Sequence, residues 1–315
     1  MNSEKEKLPP EFIKTAKMCG MEELLKSKGK FYVEKNKVLE KSFPEGVEAA
    51  SQEMDQGVKA KITIKKGYKI KEPLFFCFGL SGEEETQQIY PEIVLEEGAE
   101  VRIYSHCTFP ESKENRHEME GFFQVGKGAR LYYEEHHYHG KESGATVVPK
   151  LNVEVQEGGV FESEFNLVKG TVGKVDIQLE ARLKKNAKSE ISTKVFGQNA
   201  RDDIKIEDKV YLEGENAKSL IKMRAAAKNG GAVLMQGETY AQAAGCQGHV
   251  DCQEIVVGKE STARAVPIVE VSHDDARVTH EASVGKVNQK ELETLLTRGL
   301  SEEEATELII NALMK

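Results

Sequence analysis

Glycine or asparagine recurs at a nearly constant interval through the middle of this 315-residue chain, within short polar corners. Successive corner residues are 28–31 positions apart, and they are Gly67, Gly98, Gly128, Gly158, Asn186 and Asn216. Gly and Asn tolerate the positive φ angle that a sharp turn between strands demands. Later corners at Gly231, Lys259 and Asp275 follow at close to multiples of half that period. A fixed period is typical of repeat folds, in which stacked coils bury one continuous core.

The segments between these corners resemble strands. Many of them are rich in β-branched and aromatic residues and alternate polar with apolar side chains, for example VRIYSHCTF, RLYYEEHHY, LNVEVQ, VYLEG and EIVVGK. Strand-rich coils of this length predict a mainly β chain with a β-solenoid over residues 46–285. A large β-sandwich with turns that are evenly spaced by chance is the alternative interpretation.

The N-terminal region, residues 1–45, has a different pattern. Phe12, Ile13 and Ala16 follow helical spacing after two prolines, and Gly20 and Gly29 interrupt the run. This pattern predicts a helical cap that is too short to hold a core by itself.

The C-terminal region, residues 286–315, predicts two helices. Asn288 is placed to cap the first, which should end at Gly299. Ser301 and Glu304 have the spacing of a capping box at the start of the second. The two helices either cover the end of the solenoid or form a docking hairpin for another protein.

Charge and composition narrow the possible functions. The chain has 44 Lys and Arg against 53 Asp and Glu, and its net charge of -9 argues against nucleic acid or an anionic membrane as partner. No apolar run approaches the roughly 18 residues that span a bilayer. The start, MNSEKEKLPPEF, lacks the apolar segment of a signal peptide, so we expect a cytoplasmic location. Five widely spaced cysteines argue against a disulfide scaffold.

Two cysteines lie close together in GCQGHVDCQE, where His249 separates Cys246 from Cys252. Thiolate and imidazole suit iron, zinc or cuprous ions. The spacing is not that of a closed four-ligand site, and no second cysteine pair completes one. An iron–sulfur site here must therefore be incomplete, shared between subunits, or use His and Glu as ligands. The alternative for any single cysteine is a small buried side chain.

The segment SHDDARVTHEASVG contains a second candidate. In a strand over residues 277–282, Glu281 shares one face with Arg277 and Thr279, whereas His280 lies on the other face. His280 and Glu281 then serve one site only if the strand is bulged or lies at a subunit junction. A structural histidine with satisfied hydrogen bonds is the alternative.

The segment EEHHYHG contains a third candidate. Glu135, His137 and His139 alternate onto one strand face, and His136 and Tyr138 onto the other. Two histidines and a carboxylate on one face are a possible divalent metal site, which would fit a metal-dependent β-solenoid enzyme. A polar strip inside the solenoid, or a solvated face, is the alternative.

Nucleotide-binding and hydrolase motifs are missing from the sequence. There is no phosphate loop, no G-x-G-x-x-G that opens a helix and no G-x-S-x-G elbow, and no flavin or nucleotide site is evident. No complete active site is recognisable, which favours a scaffold or assembly protein over an enzyme.

The stretch from Cys252 onward resembles the C-terminal signature of the SufB/SufD family of iron–sulfur cluster assembly proteins. HEASVGK and RGLSEEEA are its most specific parts, and the 29-residue step from Cys252 to Glu281 also matches SufB. IYSHCTFP resembles the family segment that carries a further cysteine, here Cys107. LYYEEHHY resembles a strand with tunnel-lining polar residues, here His136 and Tyr138.

The resemblance implies a right-handed parallel β-helix with helical ends, and a dimer formed through the C-terminal part of the β-helix. It assigns sulfur acceptance and cluster binding to Cys252, with His280 and Glu281 completing the site of a transient Fe–S cluster. It also implies a sulfur donor, recipient proteins, and an ABC-type ATPase partner, SufC, bound by the terminal helices. The candidate docking residues are Leu292, Leu296, Arg298, Gly299, Glu304 and Leu308.

The resemblance is closer to SufB than to SufD, because SufD lacks the cysteine that corresponds to Cys252. One polypeptide with Cys252, His280 and Glu281 can supply both halves of the site in a homodimer. The alternatives are a heterodimer with a second SufB/SufD-like subunit, or a structural SufD-like partner without a cluster of its own.

Overall fold

The structure, a computed structural model, describes residues 8–140 and 144–314. Residues 1–7 of the expected N-terminal cap, three residues of the expected solenoid, and Lys315 therefore lie outside the described residues. None of the helices in the described ranges is long and apolar enough to cross a bilayer.

Helices lie at the two ends of the chain and strands between them. Helix α1, Pro10–Met18, is followed by a 3₁₀ turn, Glu22–Lys26. The strands of the described part are β1 Lys30–Glu34, β2 Lys37–Ser42, β3 Val47–Met54, β4 Gly57–Ile64, β5 Leu74–Gly79, β6 Thr86–Leu95, β7 Glu100–Phe109, β8 Arg116–Val125, β9 Arg130–His139, β10 Thr146–Val155, β11 Val160–Leu167, β12 Lys174–Leu183, β13 Lys188–Gly197, β14 Asp203–Leu212, β15 Lys218–Ala227, β16 Ala232–Ala241, β17 Gln247–Val256, β18 Thr262–Val271 and β19 Arg277–Lys286. Helices α2, Gln289–Leu296, and α3, Glu302–Leu313, follow.

Successive strands alternate between two sheets. The first sheet has the order β2-β1-β5-β7-β9-β11-β13-β15-β17-β19, and the second has the order β3-β4-β6-β8-β10-β12-β14-β16-β18. From β4 onward each strand pairs in parallel with the strand two places along the chain. Each coil thus adds one strand to each sheet, and the result is a β-solenoid of about eight turns. The predicted solenoid is confirmed, and the antiparallel β-sandwich alternative is wrong.

The six corners at the 30-residue period adopt the expected backbone conformation. All have positive φ angles, from 56° at Asn186 to 74° at Gly67. Each corner N–H donates to the carbonyl of the residue before the equivalent corner one coil later, as from Gly67 to Glu97 at 2.9 Å. A Cβ atom at Gly128 or Gly158 would have no neighbour within 4 Å. Glycine is therefore favoured there by the backbone angle and not by lack of space.

The residues that precede these corners form a column along the outside of the solenoid, which we call the corner ladder. Their charges alternate in sign, in the order Lys66, Glu97, Lys127, Glu157, Lys185 and Glu215. Three of the neighbouring pairs have N–O distances of 2.7–2.9 Å. The side chains are exposed, so each ion pair contributes little to stability.

The core lies between the two sheets and runs through the stack. In β12, for example, every second side chain from Val175 to Leu183 is buried, and the others point outward. Parallel pairing in register places equivalent side chains of adjacent coils directly above one another. The largest interior side chains include Phe123 and Phe161, and burying each stabilises the fold by roughly 1.5–3 kcal/mol.

The helical interpretation of residues 1–45 holds only for the first half of that segment. Strands β1 and β2 occupy much of the second half, and β1 pairs in parallel with β5 of the first sheet. Phe12 and Ala16 of α1 pack on the outer face of this sheet, against Tyr32 and Phe75. Because both faces of β1 and β5 are covered, these strands are continuous apolar runs without the alternation that marks the others.

The two C-terminal helices begin and end as expected. The Asn288 side chain accepts hydrogen bonds from two backbone N–H groups of the first turn of α2. Gly299 has a φ of 92° between the helices. Ser301 and Glu304 form both hydrogen bonds of the capping box. Helix α3 packs Ile310 against the outer face of the first sheet, in a small cluster with Phe196 and Ala226.

Ser301→Ala should loosen the start of α3, because it removes the side chain that caps the helix. We expect backbone amides in the first turn to exchange with solvent roughly fivefold faster. Hydrogen exchange read by mass spectrometry measures this, and Ser301→Asp, which keeps a capping oxygen, should exchange like the wild type. Equal exchange in the alanine variant and the wild type would contradict the assigned cap.

Candidate functional site

Cys252 lies on β17 with its side chain in the interior of the solenoid, 1% exposed. Its register partners are Met223 on β15 and Ala282 on β19. Burial, followed by the negative charges of Glu254 and Asp251, raises the pKa of this thiol to about 12. The thiol therefore stays protonated near neutral pH until a metal ion displaces its proton or a base removes it.

His280 and Glu281 lie on β19, which confirms the strand expected there. In the pairing with β17, His280 is opposite Val250 and Glu281 is opposite Asp251. The register runs without interruption from Arg277 to Lys286, so no bulge turns the two side chains to one side. His280 shares the face of Cys252, and Glu281 points the other way.

The structure thus brings Cys252, His280 and Glu281 onto neighbouring strands but not into one ligand set. Both β19 side chains are exposed. Within the ranges that the structure describes, the donor atoms of the three residues do not meet at one point. Of the two arrangements in which His280 and Glu281 could share a site, only the subunit junction remains. We call the three residues the Cys252 site.

The solenoid is open at the end where this site lies. Strands β18 and β19 have a strand neighbour along one edge only among the described residues. Ile268, Val269, Val271 and Val284 on these strands are 36–48% exposed. Side chains of the preceding coils are covered by the next coil, whereas these have none above them. The open end is therefore an apolar surface with two free sheet edges.

Two carboxyl groups lie in the interior near Cys252, and sequence reasoning missed both. Asp208 on β14 is 1% exposed and accepts a hydrogen bond from Thr193 Oγ1 at 3.0 Å. Glu254, two residues after Cys252, is 3% exposed, and neither carboxyl oxygen has a partner in the described part of the chain. Burial raises the pKa of each carboxyl to about 7. Their signal in the sequence was an acidic residue at an inward position of an alternating strand.

A second polar group lies in the interior nearer the N-terminal end, which we call the Cys107 site: Cys107, Glu135 and His137. Cys107 on β7 is the register partner of His137 on β9. Cys107 Sγ lies 3.8 Å from Glu135 Oε1, which is 2.5 Å from His137 Nε2. All three side chains are buried, and one ligand atom from each lies within 4.8 Å of the others.

Hydrogen bonds hold the Glu135 carboxyl group in place. Tyr133 donates its hydroxyl proton to Glu135 Oε2 at 2.7 Å, and His137 contacts the other oxygen. Burial alone raises the pKa of this carboxyl, but the hydrogen bonds from His137 and Tyr133 outweigh it, and the net shift is downward. The side chain is therefore a buried carboxylate with fixed partners.

Two further histidines border the Cys107 site. Burial lowers the pKa of His117 and of His139 to about 3, so both rings are neutral. His139 Nδ1 lies 2.6 Å from the Val172 carbonyl oxygen, which accepts its proton, and Nε2 is buried without a partner among the described residues. The His139 ring centroid is 5.8 Å from that of His137.

The alternation expected in EEHHYHG is present. Glu135, His137 and His139 point inward, as the interpretation of a polar strip lining the solenoid requires, and His136 and Tyr138 point outward. The resemblance assigned His136 and Tyr138 to a tunnel, but the period of two along β9 places both on the outer face. His136 Nε2 contacts Glu134 Oε1 at 2.6 Å, and Tyr138 lines a surface cleft beside α1.

Sequence reasoning also missed that Cys107 joins Glu135 and His137. The available signal was the spacing of 30 residues between Cys107 and His137, which equals one coil. A cavity of about 30 Å³, enough for one water molecule, is lined by Glu135, Thr193 and Asp208. Most of its other lining residues are apolar, among them Leu151 and Ile177, so the cavity places Glu135 and Asp208 on the wall of one small, mainly apolar space.

The six residues expected to dock a partner do not all lie on one surface. Leu296 and Leu308 are exposed to 38% and 49%, and Arg298 between the helices is exposed as well. Leu292 is buried. Gly299 forms the turn and Glu304 the capping box, so these two shape the hairpin.

Comparison with known proteins gives consistent matches. A family model described as SUF system FeS cluster assembly, SufBD core domain, matches residues 78–313. An iron–sulfur cluster assembly SufBD family protein of Methanocaldococcus jannaschii is 40% identical over 294 residues, 93% of this chain and 92% of the relative. A protein of the same description from Pyrococcus horikoshii is 31% identical over 280 residues, 89% of this chain and 84% of the relative. One from Staphylococcus epidermidis is 30% identical over 259 residues, 79% of this chain and 53% of the relative.

Proposed function

The chain belongs to the SufBD family of iron–sulfur cluster assembly proteins, and from this premise we propose that it is a scaffold on which a nascent Fe–S cluster is built at Cys252. The observation that carries the proposal is the position of this thiol. It is buried in the penultimate strand of the first sheet, and His280 and Glu281 lie on the last strand beside it. One chain alone offers one thiolate and no closed ligand set, which suits a cluster that must be handed on.

A second copy of the chain would complete the site. The apolar open end, with its free edges on β18 and β19, is the surface that two copies would bury against each other. In such a homodimer His280 of one copy can approach Cys252 of the other. A SufB/SufD-like subunit with an equivalent end would serve in the same way.

Proton transfer is the step that this chain's own residues perform. Cys252 must lose its proton when it binds iron or accepts sulfur, and its raised pKa makes that loss unfavourable in isolation. Glu254, on the same inward face two residues away, has a pKa raised to about 7 and no hydrogen-bond partner in the described part of the chain. Its carboxylate is therefore suited to take up the thiol proton.

The hairpin of α2 and α3 is the proposed docking surface for an ABC-type ATPase of the SufC kind. Leu296 on α2 and Leu308 on α3 are exposed apolar side chains, and Arg298 between the helices is exposed as well. Helix α3 is anchored to the first sheet by Ile310 and by ion pairs from Lys228 to Glu303 and Glu307 at 3.5 Å. If a bound ATPase moves, these contacts would transmit the movement from α3 to the sheet that carries Cys252. A sulfur donor and recipient apoproteins are the further partners.

Cys252→Ser should abolish cluster formation, because serine does not replace a thiolate as iron or sulfur ligand. The chain would be co-produced with a SufC-type ATPase and purified without oxygen, and its visible spectrum, iron and acid-labile sulfide would be measured. We expect broad sulfur-to-iron absorption in the wild type and background values in the variant. Cys246→Ser is the matched control, since Cys246 is equally buried six residues away and donates to backbone carbonyls.

Each outcome separates one alternative from the proposal. A variant with serine at position 252 that still assembles the cluster would overturn the assignment. A colourless wild type that retains the ATPase would indicate the structural, SufD-like role. A colourless wild type that does not bind the ATPase would favour the alternative of a metal-dependent β-solenoid enzyme.

A further inference from the structure

The Cys107 site lies apart from Cys252 in the solenoid. It spans β7 and β9, whereas Cys252 lies on β17, four strands further along the same sheet. At a strand spacing of about 4.8 Å, the two sites are roughly 19 Å apart. A function for the Cys107 site must therefore be argued from its own geometry.

We propose that Cys107, Glu135 and His137 bind one divalent first-row transition ion, of the class of Zn²⁺ or Fe²⁺, inside the solenoid. The three side chains supply a sulfur, an oxygen and a nitrogen donor. Zn²⁺ and Fe²⁺ accept this mixture, whereas Mg²⁺ and Ca²⁺ prefer oxygen donors alone.

The distances suit such an ion with little movement. Bond lengths of 2.0–2.3 Å imply that donor atoms of a tetrahedral site lie roughly 3.2–3.8 Å apart. Cys107 Sγ and Glu135 Oε1 are already 3.8 Å apart. The hydrogen bond of 2.5 Å between Glu135 and His137 would open by less than about 1 Å to admit the ion.

The surroundings fix the donors as ligand shells do. Tyr133 holds Glu135 Oε2, which leaves Oε1 directed at the other two donors. Phe165 lies with its ring centroid 4.9 Å from that of His137, and Phe109 lies at 6.2 Å. These two rings form an apolar wall on the His137 side of the site.

An unused nitrogen atom provides a second, independent observation. His139 Nε2 is buried and has no hydrogen-bond partner among the described residues. Buried polar atoms of native proteins nearly always have partners, and each exception requires an explanation. Because the Val172 carbonyl fixes the His139 proton on Nδ1, its Nε2 has a free lone pair beside the site that could accept a hydrogen bond from a water molecule on the ion.

The charge balance also favours a divalent ion. The ion displaces one proton from the Cys107 thiol, and the proton that His137 Nε2 shares with Glu135 moves to Nδ1 of the same ring. Glu135 then binds as a carboxylate and His137 as a neutral ring. Two negative ligands then neutralise the two positive charges, and no electron is transferred. A neutral site costs less to bury than a charged one.

Cobalt(II) is a suitable probe, because its ligand-field and thiolate charge-transfer bands report both the geometry and the sulfur ligand. The full-length chain would be produced in medium with added Co²⁺, purified without oxygen and dialysed. Its cobalt content and absorption spectrum would then be measured. We expect about one Co²⁺ per chain with a thiolate charge-transfer band, and competition by Zn²⁺ but not by Mg²⁺.

Variants identify the ligands. Cys107→Ser should remove the thiolate band and weaken binding by more than about 100-fold, and His137→Gln should weaken it similarly. Cys77→Ser, at another buried cysteine of the same sheet, should leave both unchanged. A thiolate band that persists in Cys107→Ser, or a folded wild-type chain without cobalt, would overturn the proposal.

The same spectra keep this inference separate from the proposed scaffold function. Cys252→Ser should bind Co²⁺ like the wild type, although it assembles no cluster. Conversely, a chain that assembles the cluster but binds no Co²⁺ at Cys107 would retain the proposed function and refute the metal site. Loss of the cobalt band in Cys252→Ser but not in Cys107→Ser would assign the ion to the Cys252 site instead.

Discussion

His137→Leu should lower the free energy of unfolding by roughly 3–5 kcal/mol at pH 7, because it leaves one oxygen of the buried Glu135 carboxylate without its hydrogen-bond partner. Glu135 is 4% exposed, and its Oε1 has His137 Nε2 at 2.5 Å. Leucine fills a similar volume but donates no hydrogen bond. Urea denaturation followed by circular dichroism, with a chelator present to remove any bound metal, measures the change.

A double variant tests the cause. Glu135→Gln combined with His137→Leu removes the carboxylate as well, and Tyr133 can still donate to the amide oxygen. We expect the double variant to recover at least about half of the lost stability. His136→Leu, on the outer face of the same strand, should cost less than about 1 kcal/mol. Equal losses in the single and double variants would show that packing, and not the buried charge, is responsible.

Asp208→Asn should make the fold more stable than the wild type above pH 7, by up to about 4 kcal/mol. Burial raises the pKa of the Asp208 carboxyl from its ordinary value of 3.8 to about 7, and this difference corresponds to roughly 4 kcal/mol. Between these two values the folded chain holds a proton that the unfolded chain has released. Stability therefore falls as the pH rises through this window and is lowest above it.

Asparagine has no proton to lose and can still accept the hydrogen bond from Thr193. The variant should match the wild type near pH 4, and the difference should grow up to pH 7 and then level off. Denaturant titrations at pH 4.5, 6 and 8 check this, with Asp203→Asn on the outer face of β14 as control. A difference between Asp208→Asn and the wild type that does not change with pH would contradict the assignment.

Much of the solenoid is readable from the sequence because the period is carried by residues with a backbone requirement. Each of the six corners from Gly67 to Asn216 has the positive φ that Gly and Asn tolerate. Strands β1 and β2 were missed because the pattern that identified the other strands is weak in this region. Helix α1 covers the outer face of the first sheet there, so KFYVE lacks the alternation that identified the other strands.

The candidate site was harder to predict, because a difference of one residue in the length of a coil moves a side chain from one face of the sheet to the other. Cys107 and His137 are 30 residues apart and stack directly. Cys252 and Glu281 are 29 residues apart, and the residue that stacks on Cys252 is Ala282. The step that supports the family resemblance therefore places Glu281 on the opposite face from the thiol. No alternation rule for a single strand contains that information, since it depends on the register between coils.

The alternating charges of the corner ladder disfavour pairing of a coil with the wrong neighbour while the solenoid assembles. Coils of nearly equal length offer a growing solenoid many equivalent partners, and a strand that skipped one coil would still find a matching row of hydrogen bonds. The alternation of signs distinguishes that error, because a skip of one coil places lysine beside lysine and glutamate beside glutamate. A skip of two coils restores the pairing, but it must leave twice as much chain looped out. The ion pairs thus add little to the stability of the finished fold, but they disfavour the skip of one coil, which brings like charges together. Salt should weaken this discrimination, because it screens the repulsion between exposed like charges.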